Sequence, residues 1–242
     1  MRREHTIADR VTSSALWRSI VRHGYPDTQR NQALAIASNV FLHLHPVKIK
    51  RYATKVTYTF CLGGLSFFMF LVLTLTGVLL MFYYVPSTDQ AYTNMQEIAA
   101  SVTFGMLMRN MHRYAAHGMV IAVFLHMCRV FYTGSYKPPR EFNWIVGVIL
   151  LVLTFLLSFT GYLLPWDQLA YWAITVGSEM AGAAPIVGEQ AQFLMVGDYE
   201  IGQATLIRFY TLHVIFLPLA AALMMAVHFW RIRKDGGISG PL

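Results

Sequence analysis

Four stretches of the chain are apolar over the length that a bilayer demands: residues 56–84, 114–132, 144–164 and 206–230. Each reaches the ~18–20 apolar residues a spanning helix needs to cross a hydrocarbon layer of ~30 Å. The second continues upstream to about residue 106 and so takes in His112. Before the first span, residues 32–44 place Leu34, Ile36, Val40, Phe41 and Leu44 at helical spacing, the pattern of a short amphipathic helix lying on lipid headgroups. The pattern predicts an all-α integral membrane protein, a four-transmembrane-helix bundle. Its parts are a basic N-terminal extension (1–55), the membrane domain (56–232) and a C-terminal tail (233–242).

Composition agrees, with 56% hydrophobic against 13% charged residues. A net charge of +7 raises nucleic acid as a partner, but the basic residues gather in particular connections, which reads as membrane topology and not as a nucleic-acid surface. Residues 1–55 hold ten Lys/Arg and three Asp/Glu, whereas 165–207 hold Asp167, Glu179, Glu189, Asp198 and Glu200 with no Lys or Arg. The loop at 129–144 and the tail after Trp230 are again basic. The positive-inside rule then puts both termini and the second-to-third loop on the cytoplasmic side, with the other two connections opposite. The N-terminus shows no cleavable signal pattern, and Cys61 and Cys128 form neither a disulfide framework nor a CxxCH haem-attachment motif.

The candidate chemistry is carried by histidine. His112 and His126 lie 14 residues apart in the second span, and His213 and His228 lie 15 apart in the fourth. At ~1.5 Å and ~100° per residue, such gaps put two imidazoles on one side of each helix, ~21–22 Å apart in depth. Both helices run from the acidic to the basic side, so the couples expected are His112–His213 at the outer level and His126–His228 at the inner. Facing helices would then build two stacked bis-histidine sites, the ligand set of two six-coordinate haems. A lone intramembrane histidine is also read as a hydrogen-bonded cavity residue; zinc fits less well, because two histidines do not close a tetrahedral site.

Glycine repeats the spacing. Gly63 and Gly77 in the first span are 14 residues apart, as are Gly147 and Gly161 in the third. Each pair leaves room for a flat macrocycle against the backbone, or for close helix packing. Arg109 precedes His112 by three residues and Arg129 follows His126 by three, one turn toward the nearer membrane face, where haem propionates need cations; Arg113 is a further candidate. Arginines at helix ends also simply snorkel to headgroups.

With these residues in view, the chain resembles the cytochrome b family of bc/b6f-type quinol-oxidising complexes, in its short split form, cytochrome b6. The matching stretches are FCLGG at 60–64, RNMHRYAAHG at 109–118, LHMCRV at 125–130, YTGSYKPPRE at 132–141, TGYLLPWDQLAYWA at 160–173, IGQATLIRFYTLH at 201–213 and HFWRIRKDGGISGPL at 228–242. They cover nearly everything from residue 51 onward. The Pro-Glu-Trp-Tyr motif of undivided cytochromes b does not occur.

The resemblance implies two haem b groups and a third, c-type haem joined to Cys61 by one thioether; an inert small residue is the alternative for Cys61, and the reading kept for Cys128. It implies a quinol site walled by Trp166, Tyr171, Trp172 and Ala173 on a short surface helix, residues that an aromatic interface belt would equally supply. It further implies an inner quinone site near Arg233, where the family's acidic residue before the first span has no clear counterpart. The partners implied are a separate C-terminal-half subunit, a Rieske iron–sulfur protein, a c-type cytochrome subunit and a second copy of the complex. The long basic N-terminus favours a bacterial cytoplasmic membrane over a thylakoid. Two rival readings remain: a diheme anchor of a quinone-linked dehydrogenase or reductase, and a transporter whose histidines line a proton path.

Overall fold

The computed structural model describes residues 11, 13–20, 28–31 and 50–238. The amphipathic segment expected at 32–44 and the last four residues lie outside the described residues. Helices are α1 (Ala15–Ile20), α2 (Val56–Thr59), α3 (Leu62–Met81), α4 (Ala91–Ala100), α5 (Gly105–Tyr132), α6 (Glu141–Leu163), α7 (Gln168–Gly182), α8 (Gly188–Val196) and α9 (Gln203–Lys234). Among the described residues there is no strand.

Four of these, α3, α5, α6 and α9, are long and apolar enough to cross a membrane, yet only 6–17% of their most apolar windows is buried within the protein. Large side chains such as Leu75, Phe68, Leu219 and Leu223 face outward along their length. Water would penalise each by about 1.5–3 kcal/mol relative to burial. Lipid removes that penalty, so the outward apolar surface is what an integral membrane protein requires.

The first span is shorter than the apolar run. Phe60 and Cys61 both adopt left-handed backbone (φ 50° and 53°), which ends α2 and forces a break before α3 begins at Leu62. Non-glycine residues adopt this region seldom. Cys61 is therefore a turn residue and not a helix residue, with its N–H on Thr59 Oγ1 and its thiol exposed.

In α9 the four-residue ladder loosens into a π-helical turn at Leu212–Phe216, just before Pro218. Proline has no N–H to give and crowds the carbonyl four residues earlier, so the turn widens there. A π-turn takes up one residue more than an α-turn. That is the surplus by which the histidine spacing of α9 exceeds that of α5.

The chain divides into two compact units, each assembled from segments of the long helices. Gly63–Val123 with Val152–Ala222 forms one. In it α4 and α7 dock on the ends of α6 and α9 through two apolar clusters, Tyr84–Ala91–Leu206 and Leu163–Ile174–Phe209. Asp167 caps α7 by accepting the Ala170 N–H. Tyr84 donates to the Leu164 carbonyl (2.6 Å) and stacks on Tyr210. Burial, and then that neighbouring phenol, push the Tyr84 hydroxyl above its ordinary pKa, so it stays a donor across the physiological range. Gln203 ties the preceding loop to α9, bonding Pro86 O and Thr88 N–H. The other unit contains the described parts of Met1–Leu62, Phe124–Leu151 and Leu223–Leu242.

Candidate haem sites

Within the first unit, His112 of α5 and His213 of α9 face each other with ring centroids 6.2 Å apart. Within the second, His126 and His228 of the same helices face each other at 6.4 Å. Two imidazoles sharing one metal between them, each with a metal–nitrogen bond of about 2 Å and about 1.2 Å from nitrogen to ring centre, would stand about 6.4 Å apart centre to centre. Both couples have the separation a six-coordinate iron takes. His117, also on α5, is exposed and rests edge-on against Tyr114. Among the described residues no three His, Cys, Asp or Glu side chains gather, so neither couple is part of a tetrahedral metal cluster.

Hydrogen bonds set the tautomer of the first couple. Thr76 Oγ1 donates its one hydrogen to the Val72 carbonyl (2.7 Å), leaving lone pairs that can only accept from His112 Nδ1–H at 2.9 Å. Thr160 repeats this on α6, donating to Leu156 O (2.8 Å) and standing 3.2 Å from His213 Nδ1. Protonation at Nδ1 leaves the Nε2 lone pair of both rings free for a metal, and the threonines orient the rings. His126 of the other couple lacks this device: its Nδ1 is buried without a hydrogen-bond partner.

Glycine follows each threonine. A Cβ added at Gly161 would stand 2.5 Å from His213 Cε1, and one at Gly77 3.2 Å from His112 Cε1. At Gly147 it would meet His228 Cε1 at 3.8 Å, an ordinary contact. Three of the four expected glycines thus lie against a candidate ligand; Gly63 is half-buried near the start of α3. The repeated Thr-Gly dipeptide was the sequence signal for Thr76 and Thr160, which spacing alone passes over.

Cations accompany both couples. Arg129 is half-buried over the Tyr58 ring (5.9 Å), with its Nε buried and unpartnered. Arg109 is half-buried and Arg113 exposed. Sequence reasoning missed Arg208, on the turn of α9 before His213, whose Nη1 is buried without a partner. Gly197, in left-handed backbone at φ 84°, packs so closely on this guanidinium that no side chain fits there. A partly open cleft is lined by His126 and His228, with Arg129, Ser135, Arg140 and Asn143 as its polar wall. Ile232, and not Arg233, is among its lining residues; Arg233 is half-buried on the last turn of α9.

The expected quinol-wall residues divide. Tyr171 and Trp172 are exposed on α7, with Trp172 Nε1 donating to Gln168. Trp166, in left-handed backbone, and Ala173 instead pack against the Leu163–Ile174–Phe209 cluster.

The donor sets fit haem: two facing imidazole couples, the first with Nε2 left free by its threonines, glycine clearance beside the rings, and the buried, unpartnered Arg129 Nε and Arg208 Nη1. Replacing Thr160 with Val removes the Nδ1 acceptor at constant shape. We expect about 10- to 100-fold weaker retention of the group on His213, read by haem titration of the purified protein, with Thr160→Ser restoring it.

Comparison with known proteins places residues 47–236 in the family described as Cytochrome b/b6/petB. The chain is 48% identical over 183 residues to cytochrome b6 of Heliomicrobium gestii, covering 76% of this chain and 85% of that one. It is 48% identical over 187 residues to cytochrome b6 of Synechocystis sp., covering 77% and 84%. Among solved structures it is similar to a chain of a hyperthermophilic respiratory Complex III, with TM-score 0.72 and 30% identity over 88% of this chain. It spans about half (55%) of the length of that chain.

Proposed function

The chain belongs to the cytochrome b/b6 family, and from that premise we propose that it is the diheme b subunit of a bc/b6f-type complex. Such a subunit carries electrons across the membrane from quinol oxidised on the outer side to quinone reduced on the inner side, coupled to proton translocation. The observation that carries this reading is the pair of facing imidazole couples at 6.2 and 6.4 Å.

His112 and His213 would hold one haem b and His126 and His228 the other, and bound haem supplies one-electron chemistry at iron. The protein's part is placement and tuning. Thr76 and Thr160 keep Nδ1 protonated and aim Nε2, while Gly77, Gly147 and Gly161 leave the flanking space. Arg109 and Arg208 serve the propionates of the first group, and Arg129 and Arg140 those of the second; Arg113, being exposed, faces headgroups instead.

Cys61 would carry a third haem through one thioether. Its exposed thiol in a turn, outside the helix ladder, supports access for that attachment. Tyr171 and Trp172 present aromatic faces that a quinol ring can stack on, with Trp166 and Ala173 holding the helix from behind. Arg233 is assigned to the inner quinone site. The oxidation site is completed by a separate C-terminal-half subunit and a Rieske protein, with a c-type cytochrome as further partner, in a dimeric complex. The basic termini face the cytoplasmic side of a bacterial membrane.

Haem-peroxidase staining of a denaturing gel tests the Cys61 assignment. The wild-type band should stain and the Cys61→Ala band should not, with both extractable b haems retained. An unstained wild-type band would remove the third haem and leave a b subunit that carries the two b haems alone.

A further inference from the structure

The stretch matched to the family begins at residue 47, yet residues 13–20 are bonded into the unit that contains His126 and His228. Ser14 starts α1, accepting the Trp17 N–H on its hydroxyl. Ser19, 2% exposed, uses its whole hydrogen-bonding capacity on distant segments. Its hydroxyl donates to Pro139 O (3.0 Å) and accepts from Phe142 N–H (3.3 Å) and Arg231 Nη2 (3.2 Å). Phe142 lies in the first turn of α6, whose N–H groups have no partner within the helix, so Ser19 caps α6 from far away in sequence.

Arg231 is fully buried, which requires that its charge be met. Its Nη2 also donates to the Ser19 carbonyl and pairs with Asp235 (3.1 Å), and the guanidinium lies over the Phe142 ring at 5.2 Å. Beyond Asp235 the chain turns, and Arg140 Nη2 binds that turn through Asp235 O (3.1 Å) and Gly237 O (3.4 Å). Arg140, Gly237 and Ile238 are wall residues of the cleft that contains His126 and His228. One bonded path therefore runs from Ser19 through Arg231 and the 235–237 turn to the cleft wall.

We propose that residues 13–20 form an intramolecular strap, docked through Ser19 on Arg231, that closes one wall of the His126–His228 cleft and fixes Arg140 in it. That the cleft holds the inner haem rests on the function proposed above; the docking does not. With the strap released, Phe142 N–H loses its acceptor and the Arg231 guanidinium keeps only Asp235, the 235–238 turn loosens and water reaches the wall.

The test is hydrogen exchange by mass spectrometry on the intact complex, paired with redox titration of the two b haems, for Arg231→Met and Ser19→Ala. Exchange in residues 13–20, 141–143 and 235–238 should quicken about tenfold or more, and the reduction potential of the inner haem alone should shift. Ser19→Thr, which keeps the hydroxyl, should restore both. Should Arg231→Met fail to assemble, Ser19→Ala carries the same readouts. Unchanged exchange in the strap, or haem potentials that both move or both stay, would overturn the proposal. Absence of b haem from the wild-type complex would instead overturn the haem reading, and the exchange readout would still decide the docking.

Discussion

Replacing His112 with Ala should remove one of the two b-haem signals and abolish quinol oxidation, while the signal assigned to His126–His228 persists. His112 faces His213 at 6.2 Å, and among the described residues no third His, Cys, Asp or Glu gathers there to replace it. His213 alone would leave the group with one protein ligand in place of two, so it would be lost or held weakly. Optical redox titration of membranes from the variant reads this directly. Two normal b-haem signals in His112→Ala would refute the His112–His213 couple.

The second large effect concerns glycine. A methyl at Gly161 would sit 2.5 Å from His213 Cε1 and 3.1 Å from both ring nitrogens, so the imidazole must leave its place beside Thr160. Overpacking of this kind costs about 1–3 kcal/mol, which is about 5- to 150-fold in haem retention. Gly161→Ala should therefore purify with the first site largely empty. Gly147→Ala is the control: its methyl meets His228 at 3.8 Å, and the second site should stay filled. Equal haem loss in the two variants would show that the glycines act by helix packing and not by clearing the ligand.

Much of this was legible in the sequence, and the limits have physical causes. Hydropathy finds helices because a bilayer demands long apolar runs; α5, α6 and α9 begin and end within a few residues of those runs. It does not find breaks, because Phe60 and Cys61 are as apolar as their neighbours and the left-handed turn leaves no compositional trace. The loop helices α4 and α8 are short and only weakly patterned, and their docking rests on residues far off, such as Leu206 against Ala91.

At the candidate sites, helical period and topology anticipated which histidines come together, because ligands on one helix side must repeat in depth. The supporting residues were less visible. Thr76 and Thr160 act across helices, and a threonine in an apolar span looks like any other until its partner is known. Arg208 lies at the edge of an apolar run, where nothing in the spacing sets it apart, although its Nη1 is buried. The π-turn at Leu212–Phe216 was present in the sequence only as the extra residue between His213 and His228.

The central claim is that this chain holds two bis-histidine b haems. Acid–acetone extraction of the purified protein, followed by a pyridine haemochrome spectrum normalised to chain concentration, measures it most directly. Two extractable b-type haems per chain is the result expected; one haem or none would contradict it.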